Sequence, residues 1–289
     1  MPETPAGDVV VQAPSIASDT LATLAEIADP HAIEAIAPRR GATVQAWRLR
    51  GATMTGRLRE ACVAARVDAA FVPRDRRLRD LRVLAMDMDS TLITIECIDE
   101  IAAHAGVKDA VAAVTASAMR GEIDFRGSLV RRVALLAGLP VDALETVYRD
   151  RLRLSPGAET LLAAVHEAGA KTLLVSGGFA FFTERLRERL ALDATVSNVL
   201  EVANGRLTGR VVGDIVDADG KAKALASMRE HHASDGGWVV AIGDGANDLP
   251  MMRVADVSVA YRAKPVVRSL ATHAIDFGGL DAVVNLFTG

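Results

Sequence analysis

The sequence has few cysteines and no surplus of basic residues, and each shortage excludes a class of protein. Its two cysteines, Cys62 and Cys97, cannot build a disulfide framework, and neither lies in the Cys-x-x-Cys pair typical of zinc or redox sites. The formal net charge of −4 leaves too little positive charge to neutralise a nucleic-acid backbone. We therefore expect a reduced, cytoplasmic protein that does not use nucleic acid as its main partner.

Long apolar runs are also missing. Residues 1–5 are acidic and are followed by no apolar signal segment, and no stretch approaches the length needed to span a bilayer. We therefore expect neither export nor membrane insertion. The six histidines match no metal-binding spacing, so none is assigned to a site.

The first quarter of the chain alternates between strand and helix patterns. Period-two and helical spacings predict, in order, segments at 9–11, 19–28, 32–37, 43–49, 54–66 and 68–72. Their order, βαββαβ, predicts a ferredoxin-like α+β domain over residues 1–72. This domain has no catalytic cluster, so it is either a small-molecule sensor or a stabilising appendage whose exposed sheet could pair two chains into a homodimer.

The remaining sequence predicts a second, larger domain. Residues 73–80 are charged and poor in apolar residues, which predicts a linker with solvent-exposed arginines. From residue 81 onwards, apolar strands separated by helices predict an α/β, Rossmann-like parallel sheet core over 81–289. Residues 97–153 contain no convincing strand and predict a helical cap, and Asn204-Gly205 predicts the turn of an antiparallel hairpin.

Two carboxylates follow the first apolar strand of this domain. Asp87 and Asp89 come directly after the run that ends at Met86. Ligands collect at the carboxyl ends of parallel strands, and residues two apart on an extended segment face the same side. Both carboxylates could therefore share one hard cation, and Asp87 could act as a covalent nucleophile. The alternative is an ordinary turn in which Ser90 or Thr91 caps the next helix.

Two further strand ends favour the catalytic interpretation. The glycines of Ser176-Gly177-Gly178 let the backbone approach an anion closely. Asp244, followed by Asn247 and Asp248, adds a third carboxylate, which brings enough negative charge to bind Mg²⁺. Lys221 could balance the charge near a bound phosphate.

These motifs, in this order, resemble those of the haloacid dehalogenase superfamily of phosphohydrolases, and within it the members that act on O-phospho-L-serine. The resemblance covers about residues 81–285 and rests on DMDSTL at 87–92, Glu96, AMRGEIDF at 118–125, Arg132, SGGF at 176–179, Lys221 and GDGAND at 243–248. It implies Mg²⁺-dependent hydrolysis of O-phospho-L-serine to L-serine and phosphate through an aspartyl-phosphate, the last step of serine biosynthesis. Residues 1–72 resemble, in pattern only, the amino-acid-binding ACT fold found on some relatives.

The resemblance also implies roles for the motif residues. Asp87 would be the nucleophile, and Asp89 would protonate the leaving oxygen and later activate water. Asp87, Asp89 and Asp244 would hold Mg²⁺, together with the backbone carbonyl of Asp89. Ser176 and Lys221 would bind phosphoryl oxygens. The residues expected to support the phosphate or the metal ligands are Gly177, Asn247 and Asp248.

Selectivity for phosphoserine requires an acid for its ammonium group and an arginine for its carboxylate. Glu96 and Arg132 fit these needs, because a guanidinium can bind a carboxylate through two parallel hydrogen bonds. Arg131 is the alternative to Arg132, and a surface helix pair is the alternative role for Glu96 and Arg132. Met119 and Phe125 would form the apolar wall of a closed cap, although such residues are more often simply cap core.

Two other functions remain open from the sequence. One keeps the phosphoryl chemistry but changes the substrate to phosphothreonine or phosphohomoserine, or transfers the phosphoryl group to another alcohol. The other is a sensor in which the N-terminal domain binds an amino acid and the larger domain is an effector or an inactive relic. The intact set of Asp87, Asp89, Lys221 and Asp244 argues against a relic.

Overall fold

Two β-sheets organise the chain in the computed structural model, which describes residues 6–288. The smaller sheet is antiparallel, with the strand order β2-β3-β1-β4. Its strands are β1 (Gly7–Ala13), β2 (Ala32–Ile36), β3 (Gln45–Arg50) and β4 (Asp68–Pro73). Helices α1 (Ser18–Ala28) and α2 (Gly56–Ala64) connect them, so the predicted order of elements is observed.

Alternate residues of β1 belong to different hydrophobic cores. Val9 and Val11 pack with Leu24 of α1 and Leu58 of α2, which covers one face of the small sheet. Val10, between them, belongs to the main core of the larger part of the molecule. This follows from the two-residue period of a strand, and it means that both faces of β1 are buried.

The larger sheet has seven strands in the order β11-β10-β9-β5-β6-β7-β8. All are parallel except β8, which is antiparallel to β7. They are β5 (Leu81–Met86), β6 (Lys171–Phe179), β7 (Ala194–Ala203), β8 (Arg206–Val212), β9 (Trp238–Gly243), β10 (Val257–Tyr261) and β11 (His273–Ile275). The turn between β7 and β8 is the predicted Asn204-Gly205, with φ values of 51° and 72°.

Helices account for most of the rest of the chain. The predicted helical segment at 97–153 contains α3 (Cys97–His104), α4 (Lys108–Met119), α5 (Phe125–Ala134) and α6 (Asp142–Asp150). The helices that flank the sheet are α7 (Ala158–Glu167), α8 (Ala180–Leu190), α9 (Ala218–His232), α10 (Leu249–Val254) and α11 (Pro265–Leu270). Among the described residues, no helix combines the length and apolar character needed to cross a bilayer.

The central strand β5 is buried on both faces. Leu84 and Met86 belong to the core that contains residues of α7 and α8, whereas Val83 and Ala85 pack with residues of α9 and α10. A continuous apolar run is typical of such a strand. The larger part is therefore the predicted α/β, Rossmann-like core with helices on both faces.

The middle of the segment 73–80 is packed against the core. The prediction that the arginines of this segment are exposed to solvent is therefore wrong for Arg76. Arg76 is only 8% exposed, and its guanidinium carbon lies 5.2 Å from the centre of the Trp238 ring. Leu78 is also buried and begins a short turn that leads into β5. These contacts fix the connection between β4 of the small sheet and β5 of the large one.

Polar contacts join the small sheet to the C-terminal residues. The Asp68 carboxylate accepts hydrogen bonds from the backbone N–H groups of residues 276–278, at distances of 2.8 to 3.3 Å. The side chain of Gln12 donates to the carbonyl of Ala282 at 3.1 Å and accepts from Asn285 at 2.9 Å. The short strand β11 lies beside this junction; its three residues carry too little pattern to be predicted from sequence.

Candidate active site

Three adjacent strands end at one edge of the large sheet and carry the predicted motifs. β5 lies between β6 and β9, and it is the first of the three in the chain. The connections that lead to β6 and to β9 therefore lie on opposite sides of β5. This arrangement opens a crevice at the carboxyl ends of the strands. Asp87 follows β5, Ser176 lies near the end of β6, and Asp244 follows β9.

A tight turn follows β5 and carries Asp87 and Asp89. Ser90 has φ of 56°, which is uncommon for a residue other than glycine. Its hydroxyl donates to Glu96 Oε1 at 2.7 Å, and Asp89 Oδ1 accepts from the Cys97 N–H at 2.9 Å. The segment is thus a turn and not the extended one that the sequence predicts.

Lys221 joins two buried carboxylates. Its Nζ lies 2.7 Å from Asp87 Oδ1 and 2.7 Å from Asp248 Oδ1, and its side chain is 1% exposed. Burial alone would lower the pKa of Lys221, but the two carboxylates outweigh burial and raise it. Asp217 caps the first turn of α9 by accepting from the Gly220 N–H at 2.9 Å, which fixes the helix that carries Lys221.

The acids of the site outnumber its cations. Carboxylate oxygens of Asp87, Asp244 and Asp248 lie within 4.8 Å of one another. Burial raises the pKa of Asp87 well above its usual range and raises that of Asp244 to about 6. Lys221 supplies one positive charge to this group, so an additional cation would stabilise it. An all-oxygen set of this kind fits Mg²⁺ or another hard divalent cation.

The structure brings Asp248 into this group instead of the Asp89 carboxylate, which the sequence assigns to the metal. Asp89 Oδ2 lies 3.5 Å from the Ser176 hydroxyl, and its Oδ1 is occupied by the Cys97 N–H. Burial, followed by the nearby Glu96, raises the pKa of Asp89 to about 7.

The loop at the end of β6 is closely packed. The Gly178 N–H donates to the Ser176 hydroxyl at 2.8 Å, and Ser176 is fully buried. A Cβ atom on Gly177 would lie 2.9 Å from Phe125 Cζ, and one on Gly178 would lie 2.8 Å from Asp89 Oδ2. A side chain at either position would therefore displace the ring of Phe125 or the carboxylate of Asp89.

Asn198 and Thr91 contact the site, and sequence reasoning missed both. Asn198, on β7, is 1% exposed; its Nδ2 donates to the Gly177 carbonyl at 2.8 Å and its Oδ1 accepts from the Val216 N–H at 2.8 Å. It thus ties the β6 loop to the turn that precedes Lys221. Thr91, fully buried, donates to Asp244 Oδ1 at 3.3 Å. Asn198 carries a usable signal, since a buried amide within a strand must be hydrogen-bonded.

Residues of the helical segment face the same crevice. Burial lowers the pKa of Arg132, and Asp99, Glu96 and Asp89 act in the opposite direction, which indicates that its guanidinium lies near these acids. Glu96 itself is exposed. Arg131 is exposed as well, whereas Arg132 is partly buried, so the structure favours Arg132 over Arg131.

The two predicted wall residues differ in placement. Phe125 lies over Gly177, at the start of α5. The structure does not place Met119 in the wall: it is the last residue of α4, and its side chain is 74% exposed because the helix ends there. Asn247 is partly buried beside Gly245, in the turn that contains Asp248.

Comparison with known proteins gives consistent matches over this part of the chain. A model of the haloacid dehalogenase-like hydrolase family matches residues 84–253. A phosphoserine phosphatase from Polaromonas sp. is 54% identical over 217 residues, which is 73% of this chain and 92% of that protein.

Solved structures are similar over the same region and beyond it. The structure of a probable phosphoserine phosphatase from Vibrio cholerae, 35% identical, covers 99% of this chain and 88% of its own, with a TM-score of 0.83. A substrate-bound phosphoserine phosphatase complex, 33% identical, covers 72% of this chain and 99% of its own, with a TM-score of 0.66. The first of these similarities therefore includes the small sheet.

Proposed function

Because this chain belongs to the haloacid dehalogenase-like hydrolase family and is a phosphatase, we propose that its substrate is O-phospho-L-serine, which it hydrolyses to L-serine and phosphate. The observation that carries the proposal is the convergence of two sets of residues. Asp87, Lys221 and Asp248 form a buried network at the sheet edge, and Arg132 with Glu96 faces the same crevice. The named substrate of similar proteins agrees with it.

In the proposed first step, an Asp87 oxygen attacks phosphorus and the serine oxygen leaves. The P–O bond to serine breaks as the aspartyl-phosphate forms, and the leaving oxygen takes a proton from Asp89. The raised pKa of Asp89 suits this role, since an acid works best when it is protonated near the working pH. In the second step, Asp89 accepts a proton from the attacking water, and the Asp87 carboxylate is regenerated as phosphate leaves.

The remaining residues of the proposed site neutralise charge. Lys221 and the Ser176 hydroxyl would bind phosphoryl oxygens, together with the backbone at Gly177. Asp87 and Asp244, the backbone carbonyl of Asp89 and the neighbouring Asp248 would hold or orient Mg²⁺. When bound, the cation would stabilise negative charge on the transferring phosphoryl group. The excess of buried carboxylates over cations supports this assignment.

Substrate selection is assigned to the crevice between α3 and α5. Arg132 would bind the serine carboxylate through two hydrogen bonds, and Glu96 would pair with the ammonium group. Phe125 would cover the phosphate loop, with Asn247 beside it. Met119 is exposed in this structure, so it would contribute to the pocket wall only after the helical segment moves toward the sheet.

We extend the proposal to the whole chain. Residues 1–72 would be a ferredoxin-like, ACT-like domain, 73–80 its connection, and 81–289 the catalytic domain with a cap at about 97–153. The strand order β2-β3-β1-β4 with two helices on one face supports the first assignment. The enzyme would act in the cytoplasm at the last step of serine biosynthesis. The exposed edge strand β2 could pair two subunits into a homodimer.

The test is phosphate release from O-phospho-L-serine with Mg²⁺ and with a chelator, beside phosphothreonine and an aryl phosphate. We expect a strong Mg²⁺-dependent preference for phosphoserine. Arg132→Ala should reduce kcat/KM for phosphoserine by about a hundredfold and leave the aryl phosphate nearly unchanged, because only phosphoserine offers a carboxylate. Arg131→Ala is the matched control. Comparable rates on all three substrates, or equal losses in both variants, would contradict the substrate assignment.

A further inference from the structure

A groove of about 1050 Å³ lies between the two sheets, away from the catalytic edge. Residues of α2 and β4 form one wall, and residues of α11 and β11 form the other. Arg76 and His273 line it; they lie at the amino ends of β5 and β11, whereas the catalytic residues follow carboxyl ends. The length of a six-residue strand, about 17 Å, separates the two ends.

The groove contains a buried cation without a carboxylate partner. Arg76 is 8% exposed and stacks on Trp238, and no described carboxylate forms a salt bridge with it. Its guanidinium makes one side-chain hydrogen bond with a described residue, from Nη1 to His273 Nε2 at 3.2 Å. Nε has no hydrogen-bond partner within residues 6–288. A buried, unpaired donor of this kind costs free energy, which an acceptor would recover.

The bond to His273 requires a neutral imidazole. The Thr272 hydroxyl donates to the Ser258 carbonyl at 2.8 Å, so its oxygen accepts from His273 Nδ1–H at 2.9 Å. Nε2 is then the unprotonated nitrogen that accepts from Arg76, and it also lies 3.3 Å from the Phe71 carbonyl oxygen. Arg76 therefore contacts two neutral groups, an imidazole and an indole ring, and the neighbouring Asp75 acts on its charge without forming a salt bridge.

The acids of the groove are already engaged. Asp68 accepts hydrogen bonds from three backbone N–H groups, and Asp276 pairs with Arg268 at 2.9 Å. Glu60 lies exposed on α2. None of them neutralises Arg76, so the missing negative charge would have to come from outside this part of the chain.

We propose that the groove binds a small monocarboxylate with an apolar body. Nη1 of Arg76 is occupied by His273 and Nε is enclosed by the protein, so Nη2 is the nitrogen that a ligand can reach from the groove. Its N–H groups can donate to a carboxylate oxygen. Met54, Phe71 and Phe277 supply apolar wall for the rest of the ligand. Of the arginines that line the groove, Arg268 pairs with Asp276 and Arg59 is exposed to solvent, so Arg76 is the buried cation without a salt bridge, which favours a monoanion over a doubly charged phosphate.

Nuclear magnetic resonance of the full-length, ¹⁵N-labelled protein tests this proposal. The chain has two tryptophans, and the indole N–H of Trp238 reports on the ring beneath Arg76, while Trp47 serves as an internal reference. We expect 3-phenylpropionate to shift the Trp238 signal to saturation with a Kd of ~1 mM or tighter. The neutral amide of the same acid should produce no saturable shift.

Two variants locate the binding. Arg76→Gln should weaken binding of 3-phenylpropionate at least about tenfold, whereas Arg77→Gln, one residue away and exposed, should not change it. If Arg76→Gln does not fold, Ser269→Phe fills the groove from its exposed rim and should also abolish the shift. The proposal is overturned by no saturable shift in the wild type, by equal binding of the amide, by wild-type affinity in the folded variants, or by tighter binding of inorganic phosphate at Trp238.

Discussion

The catalytic edge and the junction between the sheets both bury charged groups, but opposite charges pair at the edge, whereas the charged groups of the junction contact neutral ones. At the edge, Lys221 pairs with Asp87 and Asp248, and the acids remain in excess. At the junction, Arg76 contacts a neutral histidine, and Arg48 donates to the carbonyl of Phe287 at 2.9 Å. Since a buried charge without an opposite partner is costly, we expect the excess of acids at the edge to favour binding of a cation and the unpaired Arg76 at the junction to favour binding of an anion.

The largest effect is expected from a substitution that removes the chemistry of the edge and leaves the junction intact. Asp87→Asn should lower phosphate release from O-phospho-L-serine by at least about 10³-fold, because an amide cannot form the aspartyl-phosphate. Asp109→Asn, on the exposed face of α4, is the control and should retain activity. An Asp87→Asn enzyme with kcat within about tenfold of wild type would refute the nucleophile assignment.

A second change tests the charge balance of the edge through stability. Lys221→Met leaves Asp87 and Asp248 buried without their common partner, which should cost about 3 to 5 kcal/mol of unfolding free energy. The matched variant Lys223→Met removes an exposed lysine from the same helix and should cost almost nothing. Urea denaturation of the three proteins measures both values. Equal stabilities would mean that the Lys221 network is not coupled to folding.

A third measurement examines the junction through pH. Burial, followed by the charge of Arg76, lowers the pKa of His273 from 6.5 to about 4. Below about pH 6.5 the His273 imidazole binds a proton in the unfolded chain but not in the folded one. The free energy of unfolding is therefore highest above that pH and decreases toward pH 4 by up to about 3 kcal/mol.

Replacing the histidine should remove this dependence. In His273→Gln, the slope of unfolding free energy against pH between 4.5 and 6.5 should decrease by about one proton per chain. The exposed His232 offers the control variant His232→Gln. If the slope of His273→Gln equals that of wild type, the junction does not exclude the imidazolium form.

The smallest effect is expected from a substitution that tests the geometry of the edge. Asn198→Ala should lower kcat for phosphoserine about tenfold, because the Gly177 carbonyl and the Val216 N–H lose their shared partner and the phosphate loop shifts. Ser197→Ala alters the neighbouring residue, whose hydroxyl contacts Thr183 instead. Similar kcat values for both variants would show that Asn198 does not position the loop.

The same two regions show how far sequence reasoning extends. The edge could be predicted because Asp87, Ser176 and Asp244 each follow an apolar strand, and the parallel sheet then brings them together. The place of Asp248 in the carboxylate cluster could not, because it depends on tertiary contacts such as that with Lys221, and neither could the left-handed conformation of Ser90. That conformation is set by contacts with Ile95 and Glu96, which no local pattern reveals.

Most contacts of the junction could not be predicted from the sequence. The elements of residues 7–73 follow from periodicity, and so does the burial of Val9 and Val11. The partners of Asp68, however, lie more than two hundred residues away, at 276–278. Arg76 sits in a segment so rich in charge that a solvent-exposed linker was the natural prediction. Only tertiary contacts with His273 and Trp238 reveal that it is buried.

The alternation of β1 side chains between two cores affects how the molecule unfolds. Because Val10 contributes to the main core while Val9 and Val11 contribute to the core under α1 and α2, neither part can lose its packing without exposing apolar surface of the other. The two parts are therefore expected to melt in one cooperative transition rather than in sequence. A ligand that binds only the folded groove would then protect the distant catalytic edge against unfolding, by mass action alone.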